Sequence, residues 1–222
     1  MLIQKLSDIQ GAKNAEGLVV VVDILRAATV EAYLFSIGVN YIIPVSTQEE
    51  AFSLKKHHPE YILVGENYGI KIKGFDYGNS PTELLKADLK NKVVIHRSTR
   101  GTQGLVTAVN ANELIFGSFV TCSAIVAYAH KKKIKKVSIV AIDEEDSLFS
   151  DYLEKSLLGQ KTNTAQVKEA LYNHPNVKWY FDTQKEAFPK TDIDLALQIN
   201  KFNFICLVKR INNMLITSKV IV

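Results

Sequence analysis

Residues 18–29 have the sequence Leu18-Val19-Val20-Val21-Val22-Asp23-Ile24-Leu25-Arg26-Ala27-Ala28-Thr29. Five apolar residues, four of them β-branched, are typical of a strand that is buried on both faces. Asp23 follows this run directly, and Arg26 opens a helical pattern. Burying charged groups at such a position costs free energy unless something pairs them. The segment therefore predicts a strand of a parallel sheet and a binding site at its end.

The same order of strand and helix recurs along most of the chain. Strands are predicted at 18–22, 41–45, 61–64, 93–95, 113–116 and 137–142, and helices at about 26–37, 47–58, 102–109, 121–132 and 145–158, with a further helix starting at Ser80-Pro81. This alternation predicts a three-layer α/β/α fold with a mainly parallel sheet. After Gly159, helices at 163–172 and 192–199 precede strands at 204–208 and 214–220, which predict a hairpin that forms an antiparallel C-terminal edge. No linker composition interrupts the chain, so we expect residues 1–222 to form a single α/β domain.

Composition excludes several classes of protein. The net charge of +4 is mild, so it does not demand nucleic acid, although it suits an anionic ligand. The two cysteines form no CxxC motif, which argues against a zinc ribbon and fits a reducing compartment. The sequence has no signal-peptide pattern and no apolar run of about 18 residues. We therefore expect a cytoplasmic protein that binds neither nucleic acid nor membrane.

Polar residues follow five of the predicted strands. They are Asp23 and Arg26, Gly65 and Glu66, His96 to Thr102, Gly117 and Ser118, and Asp143 to Asp146. Ligands of open parallel sheets bind beyond the carboxyl ends of the strands. The sequence therefore predicts that these groups converge on one rim of the sheet.

The segment Arg97-Ser98-Thr99-Arg100-Gly101-Thr102 has the composition of an oxyanion-binding loop. Free N–H groups at a helix start, hydroxyls and guanidinium groups all donate hydrogen bonds to phosphate. The GxxxxGK[ST] spacing of a P-loop is absent. The alternative is a polar loop that only caps the next helix, because Ser and Thr favour that position.

Asp23 and Glu66 are hard oxygen ligands of the kind that Mg²⁺ takes, usually one or two carboxylates with substrate oxygens and water. The alternative for Asp23 is that it caps the helix that follows. The acids Asp143 to Asp146 have an alternative reading too, since acids in a first helical turn interact favourably with the helix dipole.

Four motifs together resemble the 2-phosphosulfolactate phosphatase family. They are Asp23-Ile24-Leu25-Arg26-Ala27, Gly65-Glu66, Gly74-Phe75-Asp76-Tyr77-Gly78-Asn79-Ser80-Pro81 and Gly101-Thr102-Gln103-Gly104, in the family's order. Gly117-Ser118-Phe119-Val120 and Glu145-Asp146 continue the resemblance, which is weakest after Gly159. The third motif is the specific one.

The resemblance implies a cytoplasmic, Mg²⁺-dependent phosphatase that hydrolyses (2R)-phosphosulfolactate to sulfolactate and phosphate, a step toward coenzyme M. It implies catalytic roles for Asp23, Arg26 and Glu66, and Mg²⁺ ligation by Asp23, Glu66 and Asp76. The substrate-binding residues that we expect are Asn79, Ser80, Arg97, Ser98, Thr99, Arg100, Gly101 and Thr102. The expected partner is a small anionic phosphoester, and a homodimer is left open.

Two questions stay open on the sequence. Many family members read TTNGT where this chain has Ser98-Thr99-Arg100-Gly101-Thr102, so the substrate is not fixed, and a non-catalytic relative that binds an organic anion is the alternative. Asp23 is either a metal ligand or a nucleophile. Because Leu25 stands where a DxDx[TV] motif needs a second Asp, an activated water is the favoured nucleophile.

Overall fold

The computed structural model describes residues 1–222, and its ten strands form one extended sheet. The strands are β1 (Leu2–Ser7), β2 (Gly17–Val22), β3 (Tyr41–Val45), β4 (Ile62–Asn67), β5 (Ile70–Lys71), β6 (Val93–Arg97), β7 (Ala111–Gly117), β8 (Lys136–Ala141), β9 (Phe204–Ile211) and β10 (Met214–Ile221). Their order across the sheet is β1-β8-β2-β7-β9-β10-β3-β6-β4-β5. Two parallel blocks, β1-β8-β2-β7 and β3-β6-β4, therefore lie on either side of β9 and β10.

Nine α-helices accompany the sheet. They are α1 (Asp8–Asn14), α2 (Ala27–Ser36), α3 (Gln48–His57), α4 (Pro81–Leu84), α5 (Gly101–Thr107), α6 (Cys122–Lys131), α7 (Asp146–Leu157), α8 (Thr164–Tyr172) and α9 (Thr191–Ala196), with 3-10 turns at Phe119–Thr121 and Pro175–Phe181. None of the helices has the length and apolar character that crossing a membrane requires. The α/β class and the mainly parallel sheet are confirmed.

The antiparallel C-terminal strands are confirmed, but their predicted place at an edge is wrong. β9 pairs with β7 and β10 pairs with β3, both antiparallel, so the hairpin lies inside the sheet. All residues from Phe204 to Val208 are buried, which is the pattern of a central strand that is covered on both faces. The edges are instead formed by β1 and the two-residue β5, neither of which was predicted as a strand. The mostly exposed residues of β1 carry no strong apolar signal.

Strand β2 is the apolar centre of its block, as the opening sequence predicts. Val19 and Val21 pack into one hydrophobic cluster, and Leu18, Val20 and Val22 into another on the opposite face. Helix α2 is buried from Ala27 to Phe35, so it lies inside the molecule rather than on its surface. Asp23 and Arg26 therefore sit in the connection between two buried elements.

Local sequence explains three features of the fold. Thr47 caps α3, because its hydroxyl accepts a hydrogen bond from the Glu50 N–H at 3.1 Å. Ser80 caps α4 in the same way, with Pro81 at the first helical position. The hairpin between β9 and β10 turns through Asn212 and Asn213, whose φ angles of 49° and 65° make a type I′ turn.

Asn213→Val should destabilise the protein, because a β-branched residue resists the positive φ of this turn. We expect the free energy of unfolding to fall by about 1–2 kcal/mol in urea titrations. Asn213→Gly is the matched control and should leave the stability unchanged or slightly higher. Equal stability of the valine variant and the wild type would contradict the assigned turn.

Candidate functional site

A cavity of about 290 Å³ lies where β2, β4, β6 and β8 end. Its polar lining consists of Asp23, Arg26, Glu66, Asn79, Thr99, Arg100 and Asp143. Residues that follow four different strands thus meet in one place, as expected from the sequence. A larger cavity of about 630 Å³ adjoins it and shares Arg26, Gly69 and Asn79.

Asp23 both caps α2 and lines the cavity. Its Oδ1 accepts a hydrogen bond from the Ala27 N–H at 2.8 Å, and only 7 % of the residue is exposed. A Cβ placed on Gly101 would lie 2.2 Å from Asp23 Oδ2, so only glycine lets the start of α5 approach this carboxylate. The two interpretations of Asp23 from the sequence are therefore compatible, and Gly101 contributes by its lack of a side chain.

Carboxylates crowd around Asp23. Burial, and then the negative charge of Asp143, raise the pKa of Asp23 to about 8. Burial raises the pKa of Asp143 to about 6, although Arg100 opposes the shift. Asp146 is also buried, with its pKa raised by burial and by the charge of Asp23. Its oxygens accept hydrogen bonds from the Ile24 N–H at 2.7 Å and the Asp143 N–H at 2.9 Å, so it ties the ends of β2 and β8 together.

Glu66 links two loops that border the cavity by accepting hydrogen bonds from both of them. Its Oε1 accepts a hydrogen bond from the Thr99 N–H at 2.5 Å, and its Oε2 accepts from the Thr99 hydroxyl at 2.9 Å. The Gly69 N–H also donates to Oε2, at 2.5 Å. Oε1 has a single protein donor, so this oxygen keeps a lone pair that a ligand could use.

The predicted oxyanion loop is divided between structural and cavity-facing residues. Ser98 and Thr102 are buried and satisfy each other, since the Thr102 N–H donates to the Ser98 hydroxyl at 2.9 Å and the Ser98 N–H donates to Thr102 Oγ1 at 3.0 Å. Arg97 donates to the Glu66 carbonyl and braces the loop rather than lining the cavity. Only Thr99 and Arg100 of this loop line the cavity.

Arg100 crosses the mouth of the site. Its Nε lies 2.7 Å from Asp143 Oδ1, and its Nη2 donates to the Ile142 carbonyl at 2.7 Å. The side chain is 45 % exposed, so water screens this ion pair and a ligand can reach the guanidinium.

Arg26 is held from three sides. Its Nη1 donates to Asp192 Oδ2 at 3.1 Å and to the Ala187 carbonyl at 2.7 Å, and its Nη2 donates to the Gly69 carbonyl at 2.9 Å. The guanidinium carbon lies 5.1 Å and 5.8 Å from the ring centres of Phe188 and Tyr180. The Nε–H and one Nη2–H have no protein acceptor, so Arg26 retains two donors beside the cavity.

Ser80 and Asn79 lie next to each other near Arg26, but only Asn79 lines the smaller cavity. The Ser80 hydroxyl donates to Asp192 Oδ1 at 2.8 Å, so it supports the partner of Arg26. Asn79 lines both cavities, and its carboxamide contacts a ring nitrogen of buried His96.

Asp76 is not part of the cluster, so the structure does not bring it to the carboxylates with which it was predicted to ligate a metal. Its Oδ2 accepts a hydrogen bond from the Leu63 N–H at 2.8 Å and lies 3.5 Å from Lys55 Nζ. Asp76 therefore satisfies the backbone of β4, and it does not line the cavity. The motif that contains it forms the connection before α4, with Asn79 and Ser80 at the end nearest the site.

Sequence reasoning missed the residues that cover the site. Trp179, Tyr180 and Phe188 line the cavity, and Asp192 is fully buried against Arg26. They come from the part of the chain where strand and helix order breaks down. Four aromatic residues within 172–181, followed by Phe188 and a short acidic helix, were the available signal, but apolar packing explains such a pattern equally well.

The donor set fits Mg²⁺, which the family resemblance implies. No group of three or more His, Cys, Asp and Glu side chains is arranged as a ready metal cage. Mg²⁺ does not require one, because it is commonly held by one or two carboxylates together with phosphate oxygens and water. Asp23 and Glu66 face one cavity, and burial, then the charge of Asp143 and to a smaller extent that of Glu66, raise the pKa of Asp23, so a cation between these carboxylates would offset their repulsion.

Asp192→Asn should destabilise the fold, because it leaves the buried Arg26 guanidinium without its counter-charge. We expect a loss of about 3 kcal/mol in the free energy of unfolding, measured by urea denaturation. Asp194→Asn, on the same helix but exposed, should change stability by less than about 0.5 kcal/mol. Equal effects of the two variants would show that the ion pair does not stabilise the site.

Comparisons with known proteins identify the family of this chain. The model of the 2-phosphosulpholactate phosphatase family matches residues 3–210. A protein of Bacillus subtilis named "Probable 2-phosphosulfolactate phosphatase" is 30% identical over 199 residues, which cover 86% of each chain. Proteins with the same name are 36% identical in Thermoplasma acidophilum, over 66% of this chain and 68% of the relative, and 47% identical in Carboxydothermus hydrogenoformans, over 62% and 57%. The chain therefore belongs to the 2-phosphosulpholactate phosphatase family.

Proposed function

We propose that this protein is a Mg²⁺-dependent phosphatase of small anionic phosphomonoesters, and that it converts (2R)-phosphosulfolactate to sulfolactate and phosphate. The observation that carries the proposal is the meeting of Asp23 and Glu66 with Arg26 and Arg100 around one small cavity. Carboxylates beside arginine donors are what a metal ion and a phosphoryl group need together. The names of the relatives supply the substrate. We further propose that the reaction serves coenzyme M synthesis in the cytoplasm.

Asp23 and Glu66 are the residues that would hold Mg²⁺. When bound, the ion neutralises part of the negative charge of the site and polarises the phosphoryl group. Asp23 is fixed for this task by the Ala27 N–H and by the close approach of Gly101. Glu66 is fixed by its three hydrogen bonds to Thr99 and Gly69. Neither carboxylate needs to reorganise before it binds a cation, which favours catalysis by a preorganised site.

Arg26, Arg100 and Asn79 would bind the phosphoryl oxygens. Arg26 keeps two N–H donors free, and Arg100 reaches the cavity from its exposed edge. Charge in phosphoryl transfer lies on the equatorial oxygens and the leaving oxygen, so fixed cations and amide donors lower the barrier. Because both arginines are paired with aspartates in the protein, their positions are set before substrate binds.

The larger cavity would receive the organic part of the ester. It opens from Arg26 and Asn79 and is bordered by Lys71 and Lys86. A sulfonate and a carboxylate on the substrate would meet these cations after phosphate occupies the smaller cavity. This division predicts a preference for phosphoesters that carry a second acidic group.

The direct test is phosphate release from phosphosulfolactate, phospholactate and the phosphoglycerates in the presence of Mg²⁺. We expect turnover with Mg²⁺ and none after EDTA treatment, with full recovery when Mg²⁺ is added back. Ligand binding that raises the melting temperature without turnover of any compound would instead support the alternative, a non-catalytic protein that binds organic anions.

Asp23→Asn and Asp76→Asn make a matched pair of variants. Asp23→Asn removes a charge that the metal needs, so we expect kcat to fall by at least about a hundredfold while the fold is retained. Asp76→Asn keeps the acceptor for Leu63 and lies outside the cavity, so we expect wild-type activity within about twofold. The assignment of the site is contradicted if Asp76→Asn is the inactive variant or if Asp23→Asn turns over like the wild type.

A further inference from the structure

Three buried polar side chains form a line behind the cavity. Glu31 of α2 places Oε1 3.0 Å from His96 Nδ1, and His96 Nε2 lies 2.9 Å from Asn79 Oδ1. Glu31 and His96 are fully buried, and Asn79 is 4 % exposed. Of the three, only Asn79 lines the cavity. His96 follows a predicted strand in the sequence, but the proposed reaction assigns it no role.

Glu31 needs a positive partner. Its Oε2 is buried without any hydrogen bond, and its Oε1 has His96 as its one partner. No lysine or arginine lies within salt-bridge distance of it. A carboxylate buried in this way costs several kcal/mol unless a cation pairs it. His96 is the only contacting group that can supply the charge.

We infer that His96 is a positively charged imidazolium that donates from both ring nitrogens, and that it thereby acts as a positioning residue for Asn79. Nδ1–H donates to Glu31, and Nε2–H donates to Asn79 Oδ1. With its oxygen held by His96, Asn79 must turn its NH₂ group away from the ring and toward the cavity that it lines. The inference rests on the proposed function in one respect, that the NH₂ group donates to the anionic substrate.

The opposite arrangement has two costs. A neutral His96 that keeps its proton on Nδ1 for Glu31 would accept at Nε2, so the Asn79 carboxamide would be reversed and would present its oxygen to a cavity already lined by Asp23 and Glu66. A neutral His96 with its proton on Nε2 would turn an acceptor toward the Glu31 carboxylate, which has no proton to donate. The Glu31 charge would also stay unpaired. Cys206 of β9 lies near Glu31, and burial and then the Glu31 charge raise the pKa of its thiol. A neutral thiol cannot replace the cation.

Nitrogen NMR of the histidine side chains tests the charge state directly. In the wild-type protein at pH 7, we expect His96 to show two protonated ring nitrogens, because both of them face hydrogen-bond acceptors. The resonance is assigned by its loss in His96→Gln. This result does not depend on turnover, so it separates a failure of this inference from a failure of the proposed function. A neutral ring at pH 7 in the wild type would overturn the inference.

Glu31→Gln tests the coupling from the charge to the substrate. Without the carboxylate, His96 should become neutral at pH 7 and Asn79 should reverse, so KM for the phosphoester should rise at least tenfold with a smaller change in kcat. Glu113→Gln is the control, because Glu113 also has a buried Oε2 without a partner but lies on β7 away from the cavity. An unchanged His96 signal and KM in folded Glu31→Gln would overturn the inference. If that variant does not fold, the nitrogen NMR spectrum of the wild-type protein alone tests whether His96 is charged.

Asn79→Asp distinguishes the two orientations of the amide. In the arrangement that we infer, the substitution replaces a donor that faces the cavity with a negatively charged oxygen, so kcat/KM should fall at least a hundredfold. In the reversed arrangement an oxygen already faces the cavity, and the loss should be less than tenfold. A loss of that smaller size would overturn the inference.

Discussion

The burial of the Asp23 carboxylate at the end of β2 is the constraint on which the rest of the site depends. A charge at this depth costs free energy unless donors and a cation offset it, and the surrounding chain supplies a donor and space beside the carboxylate. The first turn of α2 donates the Ala27 N–H, and Gly101 allows α5 to approach the second oxygen. Burial, and then the charge of Asp143, raise the pKa of Asp23 to about 8, and a divalent cation would offset both effects.

The fold was predictable where local sequence determines local structure. β2, the alternation of strands and helices, the caps at Thr47 and Ser80 and the Asn212-Asn213 turn all follow from apolar runs and turn chemistry. The position of the final hairpin in the sheet could not be predicted, because strand order depends on contacts between distant parts of the chain. Both faces of β9 are buried because the strand lies in the middle of the sheet. In the sequence, this burial is visible only as an apolar run of five residues.

The site was predictable only in part, since a list of polar residues at strand ends does not say which of them are already satisfied. Asp23, Glu66, Thr99 and Arg100 line the cavity as expected, whereas Ser98 and Thr102 use their hydroxyls on each other. Arg26 illustrates the difficulty. Its charge is visible in the sequence, but its partner Asp192 lies 166 residues away and only folding brings them together. The same holds for the line from Glu31 through His96 to Asn79, whose members come from three separate elements.

The proposed function depends on the binding of a divalent cation by Asp23 in this carboxylate-lined cavity. Isothermal titration of Mg²⁺ into the metal-free protein, with inorganic phosphate present to supply the remaining oxygens, tests it most directly. We expect the wild type to bind one equivalent of Mg²⁺ and folded Asp23→Asn to bind none. Equal binding by both proteins, or no binding by the wild type, would contradict it.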